Sequence, residues 1–217
     1  MQRSTATRWL AAVGLIGVSV FAPAILALHV IQPELSPLQE AVSYYVHGRR
    51  GWLLTLGLLS LGIGSLALAI ALGVQKARSR TGLVLLATWS VGVIVGGIFT
   101  ADPPGSWDQP PSAAGTIHGI AAMIAFAALP AAAVTLTRSF GQDARWLPLR
   151  GTLNLLSAAV VSSYVVFMAS LTPVFVRPGP PILLGLTERI FIVASLAWLT
   201  TVAIGLFRLD QVADAAP

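Results

Sequence analysis

The chain has 217 residues, of which 56% are hydrophobic and only 10% charged, against about 25% charged in an ordinary soluble domain. That excludes a soluble globular protein, and no stretch is long and polar enough to form a separate soluble domain. Cysteine is absent, which excludes disulfides and thiolate chemistry. The net charge of +5 does not point to nucleic acid, because the basic residues cluster beside apolar segments, where they set orientation in a bilayer.

A spanning helix needs about 20 predominantly apolar residues. Six stretches supply them, and the sequence predicts helices over about 9–30, 51–74, 81–99, 115–137, 151–171 and 182–207. The first follows Arg3 and Arg8 and contains Ala22-Pro23-Ala24, a loose cleavage-site pattern. Its apolar run exceeds the roughly 7–15 residues of a signal core, which favours a retained helix over a signal peptide. Between the first two spans, Ser36 and Gln39 form a capping-box pattern around Pro37. Leu35, Leu38, Val42 and Tyr45 then recur at helical spacing, so a short surface helix is expected over about 36–47, either parked at the interface or acting as a lid. Pro130 interrupts the fourth span, which neighbouring helices make tolerable.

Lys and Arg set the orientation. Arg3, Arg8, Lys76, Arg78, Arg80, Arg138, Arg145, Arg150 and Arg208 fall on one side, and Arg49, Arg50 and Arg177 on the other. The bias places both termini in the cytoplasm and the first, third and fifth connections outside. Small residues four apart, Ser60 and Gly64, Gly92 and Gly96, Gly115 and Gly119, predict close helix contacts and a compact bundle. The fold expected is therefore an all-α integral membrane protein of six transmembrane helices, forming one membrane domain over 1–217, multi-pass in the cell membrane.

The remaining ionisable groups gather on the outer side. They are His29 at the end of the first span, then Glu34, Glu40 and His47. Asp102 and Asp108 follow the third span, His118 opens the fourth, and Glu188-Arg189 lies about two turns into the sixth. A charge at the bilayer centre costs on the order of 3 kcal/mol, so groups near that depth need partners. Adjacent helical residues do not face each other, so Glu188 and Arg189 serve different partners. The plain alternatives are a snorkelling arginine beside a capping glutamate, and a histidine that ties two helices together. A metal would need three or four ligands. Asp102, His118 and Glu188 with His29 or His47 could supply them only by converging from separate helices, because no local ligand spacing exists. Ser162-Ser163-Tyr164 reads as hydroxyls bonded within their own helix. The sequence has no phosphate-binding glycine loop and no nucleophile elbow.

Val42-Ser43-Tyr44 after the first span, Phe99 to Asp102 after the third, Gly115 to His118 opening the fourth, and Glu188-Arg189 early in the sixth resemble the domain-of-unknown-function family 998 over nearly the whole chain. The resemblance implies a six-helix bundle with an outer polar cluster, and no activity. The expected function is binding of a small polar ligand or lipid headgroup in an extracytoplasmic pocket lined by Asp102, His118, Glu188, Arg189 and Tyr44. Two alternatives stay open. One is a membrane lipid hydrolase with His118 as base or metal ligand and Asp102 or Glu188 as its carboxylate. The other is a non-catalytic scaffold or partner subunit. No cofactor is expected, and no nucleic acid. The expected partners are the bilayer itself and a lipid or small polar ligand.

Overall fold

The computed structural model describes residues 2–105, 109–173 and 183–214, with side chains placed at 5–105, 109–173 and 183–208. Asp108, Arg177 and the proline-rich stretch 174–181 lie outside the described residues. Six helices form: α1 (Gln2–Ile31), α2 (Trp52–Val74), α3 (Arg80–Ile98), α4 (Ala113–Phe140), α5 (Arg150–Ser170) and α6 (Leu184–Asp214). All six are long and apolar enough to cross a membrane. Large apolar side chains such as Ile16, Leu26, Val84, Leu155 and Val193 point outward, as a bilayer environment requires.

The helix ends follow local chemistry. Ser79 caps α3 by accepting from the Gly82 N–H at 3.0 Å, and Ser112 caps α4 in the same way with Gly115. Capping by Ser112 starts α4 at Ala113, two residues before the apolar run suggests. The end of α2 closes with two bonds, Ala77 N–H to Leu72 O and Lys76 N–H to Gly73 O, so Lys76 takes the left-handed conformation (φ 56°) usually left to glycine.

The surface segment differs from expectation. Ser36 starts a turn, and helical geometry appears only at Val42–His47, as a 3-10 helix. The reason is competition from α6. The Leu38 carbonyl accepts from the Leu186 N–H (3.1 Å), the Glu40 carbonyl from Arg189 (2.9 Å), and the Val42 N–H donates to Glu188 (2.7 Å). A continuous helix would have required Val42 to bond Leu38 instead.

Each helix packs on its chain neighbours, and α1 against α6 closes the ring. Where Gly17 of α1 meets Ser60 and Gly64 of α2, a Cβ on Gly17 would collide with the Ser60 carbonyl; at Gly92 of α3 a Cβ would lie 2.8 Å from that of Ala125 of α4. The centre of the ring is filled toward the α2–α3 connection. Leu68, Leu72, Leu136, Trp198 and Leu206 are fully buried there, and Trp198 donates to Thr137 Oγ1 at 3.1 Å. At mid-depth Trp89 donates to Ser65 Oγ at 3.2 Å. Toward the end that carries the α1–α2 and α3–α4 connections, the ring is hollow.

Candidate functional site

The hollow is a cavity of about 600 Å³. Its deep walls are apolar, built from residues such as Leu58, Leu61, Trp89, Phe126, Phe167 and Ile192. Phe126 packs edge-on against Phe167 and Phe191, at centroid distances of 5.3 and 5.5 Å. Gly119 lines the cavity and has open space where a Cβ would stand, so it is not the helix-contact residue its spacing to Gly115 suggests. The polar groups Tyr44, Asp102, His118 and Glu188 also line this cavity.

Each is held by a local feature. Asp102 leaves the α3 end and accepts from the Ser112 N–H at 3.0 Å, at the positive end of α4. Its carboxylate rests against Gly115, where any side chain would collide with it. His118 sits one turn into α4. Its Nδ1 lies 3.0 Å from the Gly96 carbonyl and 2.9 Å from that of Phe99, at the α3 C-terminus. Both neighbours only accept, so Nδ1 carries the proton and Nε2 of the neutral ring is an acceptor. Glu188, one turn into α6 and 6% exposed, accepts from the Val42 N–H. Tyr44 is buried in the 3-10 segment. Burial, and then the nearby charges of Glu40, Glu188 and Asp102, push its phenol above the ordinary tyrosine value.

Arg189 belongs to a second cluster. Its Nε donates to His29 Nε2 at 2.8 Å, one Nη to the Glu40 and Gly185 carbonyls at 2.9 Å each, and the other to the Tyr45 hydroxyl at 3.2 Å. Its guanidinium lies 5.6 Å from the Tyr45 ring centre. The Nδ1 of His29 is bonded to its own helix at Ile25, which leaves Nε2 to accept. His47 in turn reaches the Ala101 carbonyl at 2.7 Å and ties the 3-10 segment to the α3–α4 connection.

Gln32, fully buried, joins this second cluster. It donates to the Tyr45 and Arg49 carbonyls at 2.9 and 2.8 Å, and its Oε1 has no partner among the described residues. Nothing in the sequence singles it out, since a glutamine at the end of an apolar run looks like a helix terminus.

Among the described residues no three His, Asp or Glu side chains come together to hold an ion. His118, Asp102, Glu188 and His29 are each directed to a separate backbone or side-chain partner. As expected, Ser163 bonds within its own helix, to the Ala159 carbonyl at 2.6 Å.

The family model described as "Protein of unknown function (DUF998)" matches residues 15–205, and the chain belongs to that family. No curated protein and no solved structure matches the sequence.

Proposed function

We propose that this protein binds an amphipathic small molecule, a lipid or a small polar ligand with an apolar part, in the cavity between its helices. By the bias of its basic residues, the polar end of that cavity faces the extracytoplasmic side of the cell membrane. The observation that carries the reading is the cavity itself, about 600 Å³ with an apolar interior and its polar groups Tyr44, Asp102, His118 and Glu188 on the wall. That volume is within the range of small-molecule sites, which are mostly apolar with a few placed polar groups. Arg189 takes a bracing role, because its bonds go to α1 and the α1–α2 connection.

The binding reading is favoured over the other two on specific contacts. A hydrolase base is oriented by a carboxylate on its second nitrogen, whereas Nδ1 of His118 meets two carbonyls. A scaffold would close its polar groups in pairs and leave no space between them.

The test is retention of a native ligand. The parent and Gly119→Leu, which sets an alkyl group into the open wall, are purified in nanodiscs and compared by native mass spectrometry. A bound species is expected on the parent and lost or much reduced on Gly119→Leu, with His118→Ala and Glu188→Gln folded and intermediate. Equal retention on parent and Gly119→Leu ends the proposal. Cysteines placed singly at Gln39 and Gln142 check the side: an impermeant thiol reagent on intact cells is expected to label position 39 and not 142, and the opposite pattern reverses the orientation.

A further inference from the structure

Resting on that reading, we propose that the polar end of the cavity selects a protonated amine carried on an apolar body. Recognition depends on what the wall can offer. Two carboxylates line it, Asp102 and Glu188, together with the phenol of Tyr44 and the ring of His118, and no lysine or arginine does among the described residues. Each carboxylate offers about four lone-pair sites; Asp102 accepts from the Ser112 N–H and Glu188 from the Val42 N–H. The proton of His118 is committed to the α3 carbonyls, so its Nε2 adds another acceptor. The nearest cation in sequence, Arg189, has four of its N–H···acceptor contacts directed to the other cluster.

Among the described residues the wall therefore offers more acceptors than donors. A head that is only anionic, such as a carboxylate, brings further acceptors and no donor. A hydroxyl supplies one donor and no charge. An alkylammonium supplies three donors and a positive charge together, and hydrogen bonds to a charged group are about twice as strong as neutral ones. The aromatic faces of Trp89 and Phe126 below suit the apolar body, and also tolerate a cation passing over them. The two sources of this chemistry are a free amphiphilic amine and an aminolipid headgroup.

The experiment follows thermal stability of the purified full chain in detergent with four ten-carbon probes at equal concentration: decylammonium, decyltrimethylammonium, decanol and decanoate. Decylammonium is expected to raise the melting temperature most. The trimethyl analogue, charged but without N–H, should do less, decanol less again, and decanoate nothing. In Glu188→Gln, which keeps an oxygen for the Val42 N–H, decylammonium affinity should fall on the order of tenfold while decanol binding stays. Dihexanoyl phosphatidylethanolamine separates the sources: a shift equal to that of decylammonium assigns an aminolipid, and a shift with decylammonium alone assigns a free amine. The amine inference is overturned if decanoate or decanol stabilises as well as decylammonium, or if Glu188→Gln and Asp102→Asn both leave the amine response intact. If no probe shifts the parent, or the shifts persist in Gly119→Leu, the cavity-binding reading itself falls.

Discussion

Glu188 and Arg189 are neighbours in the chain, about 100° apart on α6, and they enter two unlike polar clusters. Around Arg189 the guanidinium is answered by the chain: it meets a histidine nitrogen, two carbonyls and a phenol, while Gln32 Oε1 beside it has no partner among the described residues. Around Glu188 the groups are nearly all acceptors, gathered on the wall of one cavity. A polar group near a membrane boundary is thus not by itself a mark of function. The Arg189 cluster reads as bracing, because its guanidinium is answered by the chain. The Glu188 cluster has, among the described residues, more acceptors than donors, and the proposed amine would answer that imbalance.

The largest test of this contrast is Arg189→Ala. It removes the donors to His29, Glu40, Gly185 and Tyr45 together and leaves partly buried acceptors unpaired. A loss of about 3 kcal/mol is expected, read as a fall in melting temperature of about 10 °C. The ligand retained by the cavity should persist on the fraction that stays folded. If Arg189→Ala melts with the parent while Glu188→Gln collapses, the roles of the two clusters are exchanged.

A smaller effect is expected at the edge of the open cluster. Gly115 admits the Asp102 carboxylate against the α4 backbone, and a methyl group would overlap it. Gly115→Ala is expected to cost about 1–3 kcal/mol as an overpacking change and to weaken retention of the cavity ligand, because Asp102 must move. Gly119→Ala is the matched control, since a Cβ there meets nothing. Equal melting temperatures for the two variants would mean that Asp102 is not held where the α4 terminus places it.

The six helices were legible because each needed only composition and length, and the apolar runs are separated by prolines or basic loops. Asp102, His118 and Glu188 were legible as polar groups at similar depth, which puts them at one end of any six-helix bundle. Three things were not legible. Arg189 could not be assigned to bracing, because its partners come from residues 29, 40 and 45, and nothing local pairs them. The break of the surface helix at Glu40–Val42 is a tertiary effect, in which α6 takes backbone groups that the capping pattern reserves for the helix itself. The cavity was hidden because glycine spacing has two meanings: Gly92 brings α3 onto α4, while Gly119, in the same kind of pattern, faces open space.

The smallest expected effect is the one that depends on pH, and it probes the open cluster from the side of its only phenol. Tyr44 is held neutral by burial first and by Glu40, Glu188 and Asp102 after that. Its folded value therefore lies above the unfolded tyrosine value of 10.0. A group with a raised folded value contributes fully below the unfolded one, and its contribution is lost as pH rises beyond it, because the unfolded chain then ionises more readily than the folded one. Between pH 6 and 9, Tyr44→Phe is therefore expected to show no pH-dependent difference from the parent in melting temperature. Above about pH 10 the parent should lose stability more steeply than Tyr44→Phe, and the gap between them should widen with each further increase in pH. Glu188→Gln removes one of the charges acting on the phenol, so its alkaline loss should be shallower than the parent's. If parent and Tyr44→Phe fall in parallel above pH 10, the phenol is not in the field of those carboxylates, and the acceptor-rich wall proposed as an amine site loses one of its supports.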